Sequence, residues 1–195
     1  MTLREAVELL RGAGVPSPEY DARELFRSAL GLGRAEIIDG ATDYTSALLD
    51  EMIQRRAARE PLQYIVGEVG FFRESYKVTP AVLIPRSDTE TLVEYAVASI
   101  PRGARFADLC TGSGCIAVST LKNTEETTAL AVDISEEALA VARENAEKNG
   151  VSERFSTACL DLLCDAPSKK FFAVLSNPPY IDERTYTELE DEIFH

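Results

Sequence analysis

Apolar residues recur three and four positions apart through the first sixty residues, the repeat of helices with one buried face. Thr2 and Glu5 stand at capping-box spacing ahead of AVELLRGAG, which stops at glycines. Pro18-Glu19-Tyr20 opens a second helix, DARELFRSALG, closed by Gly31. A third, SALLDEMIQRRAAR, puts Leu48, Leu49, Met52 and Ile53 on one face, with Pro61 just beyond its end. The pattern predicts a small helical bundle. Arg55, Arg56 and Arg59 form a charge run, read as a solvated face or, more sharply, as a docking patch for a partner.

The period then shortens. GEVGFFRESYKVTP is rich in aromatic and β-branched residues around Arg73-Glu74-Ser75 and predicts a hairpin. LIPRSDTETLVEYAVASIP predicts a helix from Ser87 to about Ile100, with Ser87 and Glu90 as a second capping box and Pro101 as its stop. From residue 104 short apolar runs alternate with helical segments: ARFADL, CIAVSTLKN, TALAVDI, EEALAVARENAEKNG, RFSTACL and FFAVLSN. Such alternation implies parallel strands joined by right-handed crossovers, an α/β fold. Three regions follow: helical residues 1–64, a hairpin linker 65–85, and an α/β part 86–195.

Composition adjusts this picture. The 195 residues are 45% hydrophobic, enough for one good core plus a small satellite. The net charge is −13, shared unevenly. Residues 1–80 hold 10 basic and 13 acidic side chains, and residues 81–195 hold 10 and 20. An acidic surface opposes non-specific contact with phosphate backbones, which argues against a nucleic-acid partner. No apolar run has membrane-spanning length, and MTLREAVELL is charged and amphipathic, unlike a signal peptide. The expectation is a cytoplasmic protein with no membrane partner. Cys110/Cys115 and Cys159/Cys164 lack the short spacing or nearby histidines of a metal knuckle, so they are read as reduced core or loop residues, with no metal. His195, the only histidine, is read as a chain end rather than a catalyst.

Candidate chemistry gathers where strands end. In DLCTGSGC, Gly112 and Gly114 allow a tight turn and close backbone approach to a ligand between a strand and a helix. The loop departs from the GxGxxG pattern of dinucleotide sites. Asp133 ends the next strand, about twenty residues on, where an acid can accept from both ribose hydroxyls. It could instead cap the helix behind it, although Ser135 already offers a cap. Asp161 and Leu162 follow the third strand; the acid could take an adenine amino group and the leucine could cover the ring, or the acid could simply be solvated. A ligand with adenine and ribose, but no pyrophosphate, fits S-adenosylmethionine better than a dinucleotide.

The fourth strand stops at Asn177-Pro178-Pro179-Tyr180. Two prolines fix the backbone and remove its donors. A conjugated amide or amino nitrogen is a poor nucleophile and must be aimed at the methyl it will take. The Asn177 side-chain oxygen can accept one of its N–H groups and the Pro178 carbonyl the other, with Tyr180 flanking the flat acceptor. No titrating base is required.

Asn-Pro-Pro-Tyr, the DLxTGSG loop and LIPRSDTE together resemble the protein-(glutamine-N5) methyltransferases of peptide-chain release factors, the HemK/PrmC family. The resemblance runs from the helical segment to the chain's end. It implies a Rossmann-like class I S-adenosylmethionine-dependent methyltransferase sheet, preceded by a helical domain and a hairpin. Cys110, Thr111, Gly112, Ser113, Gly114, Asp133, Leu162 and Asn177 would contact the cofactor, and Asp161 joins them from the reading above. Asn177 through Tyr180 would receive the glutamine of the release factor's Gly-Gly-Gln loop. The N-terminal helices would grip the release factor, and Arg86 with the acids after it would shape the cleft.

Two departures stand out. The loop's usual first glycine is Cys110, strained if that position needs a positive φ. Only the first four strands of the family's sheet are present, so the strand at 171–176 is expected to leave an apolar edge open, as in a truncated chain. The alternatives are amino-group methylation of a DNA or RNA base, a ribosomal-protein glutamine as acceptor, and an inactive cofactor-binding fragment of a larger enzyme.

Overall fold

Thr2 and Glu5 close the predicted capping box. The Thr2 N–H donates to Glu5 Oε2 at 2.8 Å and the Glu5 N–H to Thr2 Oγ1 at 3.2 Å, starting α1 (Leu3–Gly12). The computed structural model describes residues 1–33 and 42–179. Tyr180, His195 and the acidic stretch between them lie outside the described residues. The described residues form two units, one up to Gly67 and another that begins at Glu68.

In the first unit, α2 (Pro18–Leu30), α3 (Ala47–Ala57) and a short α4 (Leu62–Val66) join α1 around Leu10, Leu25, Phe26, Leu49 and Ile53. Five residues are too few to show a helical period, which is why α4 was not expected. The buried stripe of α3 is Leu49, Met52, Ile53 and Arg56, whereas Leu48 is exposed. Arg56 therefore sits at the next apolar position of the repeat, not on a solvated face as its charge suggested. Its Nε lies 2.8 Å from Asp21 Oδ2, also buried, and Nη1 donates to the Glu60 carbonyl at 2.9 Å. Arg55 pairs with Glu60, and Arg59 donates to the Gly14 carbonyl. The arginine run is thus committed to fixing its own unit.

The second unit begins with the predicted hairpin, β1 (Glu68–Phe71) antiparallel to β2 (Glu74–Lys77). A fully buried Tyr76 places its hydroxyl 2.5 Å from Ser119 Oγ, and Ser119 donates to Glu74 Oε2 at 2.9 Å. Then follow α5 (Glu90–Ser99), β3 (Arg105–Leu109), α6 (Cys115–Lys122), β4 (Thr128–Asp133), α7 (Glu136–Lys148), β5 (Phe155–Cys159) and β6 (Ala173–Ser176). The last four strands form one sheet in the order β5-β4-β3-β6, and its three pairings are all parallel. The order reverses at β3, the switch point where α/β sheets open a crevice at their strands' carboxyl ends. β6 is the outermost described strand on its side, and Val174 on it is exposed.

The second capping box does not form. Residues Ser87–Thr89 make a 3-10 turn before α5, without a side-chain cap. Glu90 Oε1 accepts the Phe72 N–H at 2.7 Å instead. The carboxylate is drawn to the hairpin turn, where Phe72 has φ 58° and its N–H needs an acceptor.

Candidate functional site

The loop after β3 is assembled from backbone bonds to its neighbour. Thr111 N–H donates to the Val132 carbonyl at 3.0 Å, and Gly112 N–H to Asp133 Oδ2 at 2.9 Å. Gly114 has φ 79°, and a Cβ there would stand 3.0 Å from Ala142 Cβ and 3.2 Å from Ala142 Cα. Glycine is required because α7 packs directly on the turn. Gly112 has φ 53° and open space where a Cβ would be. Cys110 does adopt a positive φ, 58°, the conformation that L side chains resist. Its half-buried thiol is pushed above its usual pKa, first by burial and then by Asp133 and Asp108.

Asp133 is a hub between elements. Its Oδ1 accepts the Ser135 N–H at 3.1 Å, while Ser135 Oγ itself caps α7 by accepting from Ala138. A carboxylate offers about four lone-pair sites. Gly112 and Ser135 use two, so acceptor capacity remains for hydroxyl donors. The β4 end is tied to the next loop by Leu160 N–H on the Asp133 carbonyl, 3.0 Å. There Asp161 Oδ1 accepts the Leu163 N–H at 3.0 Å, a local turn that leaves Oδ2 for another donor. Leu162 is half-buried, and Leu163 and Ile134 are largely exposed beside it in sequence and at the same sheet edge.

Asn177 leaves β6 next to this loop because β6 pairs with β3, Leu109 opposite Ser176. Ser176 Oγ donates to the Leu109 carbonyl at 2.8 Å, locking the two strand ends together. The Asn177 side chain is half-buried, and its Nδ2 donates to Thr89 Oγ1 at 3.2 Å. Pro178 and Pro179 are exposed. Arg86 is exposed too; only its carbonyl takes part here, accepting the Thr89 N–H at 3.0 Å. The structure thus brings Cys110–Gly114 together with Asp133, and sets Asn177 beside the same strand.

Three residues escaped the sequence reading. Asp108 is fully buried under the loop. Its Oδ2 accepts Thr111 Oγ1 at 2.6 Å and the Ala117 N–H at 3.2 Å, while Oδ1 lacks a hydrogen bond. Burial pushes this carboxyl up to about 7. An acid inside the apolar run RFADL was the available signal. Asn145, also fully buried, donates to the Ser113 and Lys77 carbonyls, both at 2.9 Å, and accepts the Lys77 N–H at 2.6 Å. A polar residue on the apolar stripe of α7 marked it. Thr89 had no such signal, because its partner is 88 residues away.

Among the described residues, no helix is long and apolar enough to cross a membrane, and no His/Cys/Asp/Glu group is arranged to hold a metal. Residues 2–67 match the PrmC N-terminal domain, and residues 87–195 match the methyltransferase small domain. A release factor glutamine methyltransferase from Nitratidesulfovibrio vulgaris is 41% identical over 98% of this chain and 67% of its own length. One from Caulobacter vibrioides is 36% identical over 96% of this chain and 67% of its own. The chain therefore spans about two thirds of these relatives. A crystal structure of a ribosomal protein L11 methylase from Lactobacillus delbrueckii is 29% identical, covering 52% of this chain and 51% of its own, with a TM-score of 0.43. That partial overlap adds nothing to the assignment, which rests on the two domain matches and the full-chain similarity. On those grounds the chain belongs to the release factor glutamine methyltransferase family.

Proposed function

We propose that this chain carries the S-adenosylmethionine site and acceptor site of an enzyme that methylates the side-chain amide nitrogen of the Gly-Gly-Gln glutamine in peptide-chain release factors. One observation carries the reading: β6 pairs with β3, so Asn177 and the Cys110–Gly114 loop emerge side by side although Asn177 comes 63 positions after Gly114.

The residues fit the cofactor. Open space at Gly112 leaves room for a ligand against the backbone, and Asp133 retains acceptor capacity for ribose hydroxyls. Asp161 Oδ2 suits an amino group, with Leu162 against the ring. When bound, S-adenosylmethionine supplies a methyl group made electrophilic by a positive sulfur. Asn177 Oδ1 accepts one N–H of the incoming glutamine amide and the Pro178 carbonyl accepts the other, which aims the nitrogen's π-face lone pair. Both acceptors are neutral and preorganised, so they stabilise the developing positive charge on nitrogen without being protonated. The nitrogen sheds its proton to water. Pro178 and Pro179 hold the carbonyl's direction because their φ values cannot relax.

The release factor is the protein partner in this reading, gripped by the helices of residues 1–67, and the reaction belongs to the cytoplasm. The experiment is incubation with labelled S-adenosylmethionine and, separately, a release factor, its Gln→Ala variant, and nucleic acid. Label on the release factor alone is the expected result. Label on nucleic acid, or undiminished label on the Gln→Ala protein, would sink the proposal.

A further inference from the structure

We infer that Thr89 is a positioning residue that anchors the Asn177 carboxamide with its oxygen free to face the acceptor. The inference rests on the acceptor role given to Asn177 above.

A carboxamide has two chemically different ends and can rotate to exchange them. To receive an N–H, Asn177 must present oxygen to the acceptor pocket, and its NH2 must be satisfied elsewhere. Thr89 Oγ1 stands 3.2 Å from Asn177 Nδ2, and a hydroxyl oxygen accepts there without difficulty. The reversed rotamer would set the NH2 against the incoming N–H groups, so the acceptor itself selects the orientation, and the Thr89 hydroxyl, which can donate or accept, fixes the carboxamide's place.

Thr89 can do this because two contacts fix its own place and a third fixes the start of Asn177. Its N–H donates to the Arg86 carbonyl at 3.0 Å in the 3-10 turn. The next residue, Glu90, anchors the helix start to the hairpin through the Phe72 N–H at 2.7 Å. Ser176, the residue before Asn177, is bonded to the Leu109 carbonyl. Both ends of the contact are therefore anchored, and the contact joins the turn before α5 to the end of β6. This assigns a task to the threonine of LIPRSDTE that neither a helix cap nor a cleft wall explains.

The test compares wild type, Thr89→Val and Thr89→Ser. Valine keeps the shape and loses the hydroxyl; serine restores it. With release factor and labelled cofactor, Thr89→Val is expected to lower kcat about fivefold to tenfold, in line with one hydrogen bond. KM for the cofactor and the melting temperature stay near wild type, and Thr89→Ser recovers most of kcat. In parallel, the Asn177 side-chain NH2 signal is read by NMR in protein labelled on asparagine. One of its protons exchanges slowly in wild type and Thr89→Ser, and both exchange at the free-amide rate in Thr89→Val. Unchanged kcat together with unchanged amide exchange in Thr89→Val would overturn the inference. If wild type transfers no methyl, the functional reading fails, and amide exchange alone decides the Thr89 contact.

Discussion

Replacing Gly114 by alanine separates two roles that glycine plays in one loop. The new Cβ would meet Ala142 Cβ at 3.0 Å and Cα at 3.2 Å, both inside the roughly 3.5–4.0 Å of ordinary carbon contact. Ala142 is itself fully buried in α7, and its Cα cannot swing aside as a long side chain would. Overpacking of this kind costs about 1–3 kcal/mol. The positive φ of 79° adds about 1 kcal/mol for a residue with a Cβ. The sum, about 2–4 kcal/mol, corresponds to a drop of roughly 10 °C in Tm for a chain of this size. Gly112→Ala carries only the strain at φ 53°, because nothing lies within 4 Å of its Cβ position. It should melt within roughly 4 °C of wild type. Its methyl, however, would enter the space assigned to the cofactor and weaken S-adenosylmethionine binding at least tenfold. Differential scanning calorimetry and titration calorimetry read the two effects. Equal melting of both variants would contradict the contact with Ala142, and normal cofactor affinity in Gly112→Ala would contradict the place given to the ligand.

Three further outcomes follow from the same structure. Cys110→Gly relieves a non-glycine residue at φ 58° and should raise stability by about 0.5–1 kcal/mol in urea titration, after the entropy that glycine adds to the unfolded chain. Asp108, raised to about 7 in the fold, stays protonated there while the unfolded chain ionises near 4. Its contribution is therefore fully present below about pH 4, falls as pH rises to about 7, and is flat above. Asp108→Asn should gain on wild type across that window, by at most about 4 kcal/mol, when unfolding is followed at a series of pH values. Asp21→Ala should cost about 3–5 kcal/mol in the first unit, because Arg56 is left charged and buried, and hydrogen exchange in α2 and α3 would report it.

Much of this architecture was written in local pattern. Thr2 and Glu5 cap α1 because they lie three residues apart, and Gly31 and Gly150 follow their helices because a left-handed turn suits glycine. The four parallel strands were legible because each is a short apolar run separated by a helical repeat. What pattern could not show was pairing at a distance. Arg56 looks solvated in sequence, yet falls on the buried stripe and finds Asp21, 35 residues away. Glu90 looks like a cap and instead accepts the Phe72 N–H at a hairpin turn. Cys110 was suspect because the loop's usual glycine was missing, and its positive φ shows that the turn overrides the residue. The site followed the same division: the glycines, Asp133 and Asn177 stood at strand ends, while Thr89 and Asn145 depend on contacts across elements.

In the proposed reaction labour is divided at one sheet edge, with Asp133 holding the cofactor and Asn177 aiming the acceptor. Titration calorimetry with S-adenosylmethionine, paired with methyl transfer to a release factor, tests it directly in Asp133→Ala and Asn177→Ala. The predicted result is lost binding in the first and intact binding with lost transfer in the second. Transfer surviving in Asn177→Ala, or cofactor held normally by Asp133→Ala, would contradict it.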